Sequence, residues 1–263
     1  MRLAVADLFR LDGRVVLVSG ASSPIGAAAC EVLAEAGATV ACAARNTKKG
    51  QAIADAIVAK GGKALALPLD LSQEKSIDDA YAATVASAGA VDLLVHNAIS
   101  QFPGHIERYT RAQWEASMAV DATGYFQMTQ LCLKGMIEKG GGNIITIASI
   151  LGIVSFDKRL YPKRGGLDAF RPNYSFVKAG VAGFTRFIAA NYADKNIRAN
   201  CLSPGGVATE ETLPDEPPFA ARTPLGRFAR PDEMKGPILF LASDASAYMT
   251  GQNLVVDGGY TIL

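Results

Sequence analysis

Residues 15–26 read VVLVSGASSPIG. A Val-rich run passes through Gly20 straight into a segment with helical periodicity from about Ile25 to Ala36, so the stretch is a strand, a tight turn and a helix start. Glycine at such a turn lets the backbone approach a phosphate, and the helix start offers free N–H groups and positive dipole. Gly20 and Gly26 stand where that geometry needs them, with Ser22 and Ser23 as hydroxyl donors. Glycine serves many βα connections, so the weight of the signal comes from its place in the first βα unit.

The same rhythm continues outward. ATVACAA (38–44) precedes a helical segment from about Thr47 to Lys60, and KALALPL (63–69) precedes one near 74–88. VDLLVH (91–96) is followed by a long helical pattern near 111–138, and NIITIAS (143–149) by a helix that carries Tyr174. IRANCLS (197–203) and NLVVDGG (253–259) add two more strand-like runs. Repeated βαβ units predict an α/β fold: one domain over residues 1–263, a parallel sheet between two helix layers. Residues 153–173 and 210–223, rich in Pro, Gly and charge, break the rhythm. Both leave carboxyl ends of strands, where parallel sheets put their ligands, so both are candidates to line a substrate site.

The chain has 263 residues, 49% hydrophobic and 19% charged, with a net charge of +1. That length buries a sizeable core, and no basic stripe is present to displace counterions from a nucleic acid. Cys30, Cys42, Cys132 and Cys201 lie far apart without a CxxC pair, which fits a reducing cytoplasm rather than a disulfide scaffold or zinc site. His96 and His105 are the only histidines, without HExxH or clustered cysteines, so a metal centre is not expected. Asp7, Arg10 and Asp12 interrupt the N-terminus before a signal-peptide core forms, and no run reaches membrane-span length.

PNYSFVKAG (172–180) places Tyr174 and Lys178 four apart, on neighbouring turns of one helix face. A chain of this composition yields about 0.4 such pairs by chance, so the pair acquires meaning only from its surroundings. Proton transfer to a developing alkoxide supplies one meaning. A phenol is a poor proton partner near neutral pH, and an adjacent ammonium favours the phenolate.

From LDGRVVLVSGAS to LVVDGGY the chain resembles the short-chain dehydrogenase/reductase family, which implies a Rossmann-type doubly wound sheet in three αβα layers. The family's TGxxxGxG turn corresponds to SGASSPIG, where Ser19 keeps the threonine hydroxyl and Pro24 replaces the middle glycine. The resemblance implies a nicotinamide cofactor held by Gly20, Ser22, Ser23, Ile25 and Gly26, and further along by Asp70, Leu71, Asn97 and Ala98. In TVACAARN, the position where NAD-selective members carry an acid is Ala44, followed by Arg45. An arginine there grips a 2′-phosphate, so NADP(H) is favoured over NAD(H). His96 and Ile99 replace the outer residues of the NNAG motif, predicting a loop that sits differently against the adenosine ribose. SPGGVAT (203–209) matches the nicotinamide-contacting segment, with Pro204, Val207 and Thr209 in register.

The resemblance also implies that Tyr174 is the acid/base, that Lys178 tunes it and holds the nicotinamide ribose, and that Ser149 polarises the substrate oxygen. Asp121, in VDATGYF, stands where the family has an asparagine that holds a proton-relay water. An aspartate predicts a shifted pH dependence. Tyr161 lies at the family's usual spacing from Ser149, but Gly165 stands where a lysine partner is needed. Tyr174 follows Ser149 by 25 residues, so the intervening loop is enlarged. That loop carries Lys158, Arg159, Lys163, Arg164 and Arg171 against Asp157 and Asp168, favouring an anionic or polar substrate. The segment 210–223 is acidic in its first half, which works against a strongly anionic one. SILGIVSFDKRLY resembles members that act on sugars, keto-deoxy sugar acids and polyols.

The expectation is an oxidoreductase interconverting a ketone and a secondary alcohol on a small polar, sugar- or sugar-acid-derived substrate. The alternatives are a 3-oxoacyl thioester reductase and a catalytically impaired nucleotide-binding homologue. Phe176, Val177, Val181, Phe184, Phe187 and Ile188 make the Tyr174 helix apolar on more than one face. The family pairs subunits through this helix, which implies a homo-oligomer, a tetramer or dimer.

Overall fold

The computed structural model describes residues 4–100, 102–160, 171–209 and 216–263. Tyr161, Lys163, Arg164, Gly165 and Asp168 of the enlarged loop, and residues 210–215, lie outside the described residues.

Seven parallel strands form one sheet in the order β3-β2-β1-β4-β5-β6-β7. In chain order the elements are β1 (Val15–Ser19), α1 (Pro24–Glu35), β2 (Thr39–Ala44), α2 (Thr47–Ala59), β3 (Lys63–Pro68) and α3 (Glu74–Ala88). The second half holds β4 (Leu93–His96), α4 (Arg111–Met118), α5 (Tyr125–Lys139), β5 (Gly142–Ile147), α6 (Pro172–Tyr192), β6 (Ile197–Pro204), α7 (Glu216–Ala220), α8 (Lys235–Ala242) and β7 (Asn253–Val256). β1 is buried along its whole length, as a central strand covered on both faces must be. Val16 and Val18 point into a core with α1, α2 and α8, whereas Leu17 points into the opposite core with α3, α5 and α6. This is the doubly wound αβα sandwich. The chain leaves β3 at one edge and returns to β4 beside β1, so the carboxyl ends of β1 and β4 form the switch-point crevice where such sheets take ligands. No helix among the described residues is long and apolar enough to cross a membrane.

Three elements differ from the sequence reading. The long helix near 111–138 is broken by a π-helical turn, Ala119–Gly124. Gly124 lies so close to Leu71 that an added Cβ would meet its carbonyl oxygen at 2.0 Å, and the extra residue in the turn carries Asp121 inward to Ser100. α8 had no counterpart in the reading, because KGPILFLA is an apolar run too short for its period to separate helix from strand. Within 210–223, residues Glu216–Ala220 form α7 rather than loop.

Candidate active site

The crevice opens into one cleft of about 1160 Å³ that runs from the end of β2, across β1 and β4, to α6. At one end Ser23 caps α1, its Oγ accepting from Gly26 N at 3.1 Å. Pro24 occupies the first helical position, where its fixed φ suits the helix and its missing N–H breaks no helical bond. The turn survives the proline at the loss of one N–H donor. Gly20 has φ +68°, and a Cβ there would meet Ala98 Cα and N at 2.7 Å. A Cβ at Gly26 would meet Gly20 O at 2.2 Å. The Asn97 amide clamps this turn from just past β4, donating to Gly20 O at 2.8 Å and Ser23 Oγ at 2.9 Å.

Beneath the turn, the Ser19 hydroxyl accepts from Asn97 N and Ala98 N at 3.2 and 3.4 Å. Thr129 donates to Tyr125 O, so it can only accept from His96 Nε2, at 3.0 Å. That assigns the His96 proton to Nε2 and leaves Nδ1 to accept from Ser19 Oγ at 3.5 Å. Burial, assisted by the Lys178 charge, pushes the His96 pKa down to about 3, so the ring is neutral. His96 therefore turns into the core as part of the turn's foundation. Ile99 lines the cleft.

Ala44, Arg45 and Asn46 line the cleft past the end of β2, with Arg45 exposed. Leu69 and Leu71 line it too. Asp70 between them is not among the lining residues; its Oδ1 accepts from Ser72 N at 3.0 Å and Ser72 Oγ at 2.8 Å. Pro204, Val207 and Thr209 line the wall beyond β6.

Ser149, Tyr174 and Lys178 line the other end. Ser149 lies just past β5, its Oγ accepting from Leu151 N at 3.1 Å. Gly152 lets the following turn press against α6, for a Cβ there would meet the Lys178 backbone at 2.6 Å. Lys178 is buried and donates from Nζ to Ile147 O at 2.5 Å, with Nζ 5.6 Å from the Tyr174 ring centroid. Burial lowers the Lys178 pKa, against the pull of Tyr174 and then Asp121.

Asp121 is buried beside this trio rather than in the cleft wall. Its carboxylate accepts from Ser100 N at 2.7 Å, Ser100 Oγ at 2.6 Å and Asn173 Nδ2 at 2.8 Å. Burial raises its pKa, opposed first by the Ser100 hydrogen bonds and then by the Lys178 and Arg171 charges. The sequence alone points to no role for Ser100 or Asn173, and shows Arg171 only as one loop cation among several. The Arg171 guanidinium carbon lies 4.7 Å from the Tyr174 ring centroid, lines the cleft, and Nη1 donates to Ser100 O. The nearest signal was its place three residues before Tyr174, one turn away on a helix that starts at Pro172.

A nucleotide crevice joined to a Ser–Tyr–Lys floor belongs to the NAD(P)-dependent oxidoreductases, and the comparisons with known proteins agree. A family model described as enoyl-(acyl carrier protein) reductase matches residues 20–261. D-threitol dehydrogenase of Mycolicibacterium smegmatis is 36% identical over 99% of this chain and 97% of its own length. The 3-oxoacyl-acyl-carrier-protein reductase of Thermotoga maritima is 35% identical over 96% of this chain and 100% of its own. The crystal structure of a gluconate 5-dehydrogenase from Burkholderia cenocepacia, in complex with NADP and tartrate, superposes with a TM-score of 0.88 at 32% identity, covering 99% of this chain and 100% of that one. The chain belongs to the short-chain dehydrogenase/reductase family, whose members act on CH–OH and C=O groups.

Proposed function

We propose that this enzyme uses NADP(H) to interconvert a ketone and a secondary alcohol on a small polar substrate derived from a sugar or sugar acid. The observation that carries the reading is the convergence of Ser149, Tyr174 and Lys178 in the same cleft as the glycine turn and Arg45. The cradle fits a nucleotide. Side chains at Gly20 and Gly26 would collide with the backbone of the turn and its support, so that bare backbone and the start of α1 face the cleft. Ser22, Ser23 and Ile25 line this end, Arg45 supplies a fork for a 2′-phosphate, and Leu71, Asn97, Ala98, Pro204, Val207 and Thr209 line the rest.

A bound nicotinamide would supply the hydride acceptor for an alcohol carbon or the hydride donor for a carbonyl carbon. In oxidation the Tyr174 phenolate takes the hydroxyl proton as the C–H electron pair leaves and C=O forms; in reduction the phenol returns the proton to the alkoxide oxygen. The Lys178 ammonium stands beside the Tyr174 ring, with Nζ 5.6 Å from its centroid. Ser149 already accepts from Leu151, which leaves its hydroxyl proton for the substrate oxygen. A non-catalytic role is disfavoured, because all three groups converge intact. A 3-oxoacyl thioester reductase is the second reading, supported by the Thermotoga relative and by Ile99, Pro103 and Val120 in the cleft wall.

Association through α5 and α6 fits the exposed aromatic surface of Phe126, Phe176 and Phe187, with Phe187 stacked on Phe184 at 6.1 Å. Free, buried cysteines fit a cytoplasmic setting. Titration calorimetry of the protein and of Arg45→Ala with NADPH and NADH tests the cofactor reading. NADPH binds more tightly than NADH to the native protein, and the variant loses affinity for NADPH alone. Equal affinities would overturn the NADP(H) assignment, and no binding of either would overturn the enzyme reading.

A further inference from the structure

Among the described residues, every charged side chain that lines the cleft is a cation: Arg45, Arg171 and Lys178. Two of them have work within the proposed function. Arg45 stands past β2 at the nucleotide end, and Lys178 is buried against Ile147 O and Tyr174. Arg171 has none. It is half-buried at the start of α6, and its guanidinium packs against the Tyr174 ring at 4.7 Å. The carboxylate of Asp121 is close enough to feel the Arg171 charge, but it takes its three hydrogen bonds from Ser100 and Asn173. Arg171 spends Nη1 on the backbone carbonyl of Ser100, which anchors the guanidinium without neutralising it. A guanidinium beside a proton-transfer phenol is a planar, charged fork in the cleft wall, and the matching ligand group is a carboxylate.

We infer that Arg171 is a specificity-determining residue that receives a carboxylate of the substrate, so that the enzyme acts on a hydroxy acid and its keto acid rather than on a neutral polyol or a thioester. The inference rests on Tyr174 being the proton-transfer group, since that sets the reacting oxygen beside the same ring. The contact between Arg171 and Tyr174 places the carboxylate within a few bonds of the reacting carbon, the size range of a sugar acid. A purely structural Arg171 would serve only to tie the start of α6 to Ser100. Arg171→Gln keeps an N–H donor for that carbonyl while removing the charge, and Arg171→Lys keeps the charge while removing the fork.

The probes are D-gluconate and its neutral amide, D-gluconamide, titrated calorimetrically into the protein and both variants in saturating NADP⁺. Native protein should bind gluconate about 10- to 100-fold more tightly than gluconamide, the worth of one charge-assisted hydrogen bond. Arg171→Gln should bring the ratio to within about two-fold, and Arg171→Lys should retain part of it. Equal binding of the two probes by native protein, binding of neither, or discrimination that persists in Arg171→Gln would each overturn the inference. The NADP⁺ titration of the same samples reports separately on the proposed function, because loss of nucleotide binding in the native protein would overturn that reading instead. A melting curve with NADP⁺ for each variant verifies that it is folded.

Discussion

Gly26→Ala adds a single methyl group to a helix, and at most helical sites that change is harmless. At Gly26 the new Cβ would lie 2.2 Å from Gly20 O, 2.8 Å from Asn97 Nδ2 and 3.0 Å from Ala21 Cα. The first contact is more than ~1 Å inside the ~3.5 Å optimum for nonbonded neighbours. Two of the three partners are backbone, so relief requires moving the turn itself. Overpacking of this kind costs about 1–3 kcal/mol. At roughly 2–4 °C per kcal/mol for a domain of this size, the melting temperature should fall by about 2–12 °C. Because the displaced atoms are the turn and its Asn97 clamp, NADPH affinity should fall at least ~10-fold, beyond what the loss of stability alone produces. Gly236→Ala is the control: it is the same substitution in α8, with nothing within 4 Å of the new Cβ. It should be neutral or stabilising by up to about 1 kcal/mol, with unchanged NADPH affinity. Thermal melts with and without NADPH, on both variants, make the comparison. A Gly26→Ala protein that melts and binds like native would refute the claim that this contact shapes the site.

Tyr174→Phe should lower kcat by at least ~10²-fold while leaving NADPH affinity within about three-fold, as steady-state kinetics and calorimetry will show. His96, whose pKa is about 3 against the ordinary 6.5, keeps its full stability above pH 6.5 and loses it as pH falls toward 3. Between pH 7.5 and 4.5 native protein should therefore lose about 3 kcal/mol more unfolding free energy than His96→Asn, measured by urea denaturation. Asp121 has the opposite sign: with its pKa raised above 3.8, its stabilisation is present in acid and is lost as pH rises through the folded value. Asp121→Asn should thus gain relative to native protein from pH 4 to pH 7 in melting temperature, and its pH–rate profile should shift, because Lys178 and Arg171 both feel the lost charge. An unshifted profile would remove Asp121 from the proton relay.

The strand pattern was legible because parallel strands buried on both faces read as short apolar runs, and the helix near 74–88 occupies Glu74–Ala88 as expected. The glycine turn and the Tyr174–Lys178 pair were legible as motifs because residue type and local spacing stand together in them, whereas Ser149 entered only through the family resemblance; Gly20, Ser149, Tyr174 and Lys178 line one cleft. The rest depended on contacts that sequence distance conceals. The break at Ala119–Gly124 follows from Gly124 against Leu71 and Asp121 against Ser100, pairs far apart in the chain. Arg171 reads as loop charge until the start of α6 sets it against Tyr174. His96 reads as a motif departure until Thr129 and Ser19 supply its two partners.

The glycine turn looks self-contained in the sequence, yet it is not portable. Its clamp, Asn97, comes from 74 to 77 residues further along and reaches Gly20 and Ser23 only once β4 has docked against β1. A fragment ending after β3 would contain every glycine of the turn and lack the strand that holds its shape. The nucleotide end can therefore mature only after the chain has crossed from one half of the sheet to the other, and grafting residues 15–26 into another scaffold would have to bring a β4 with them.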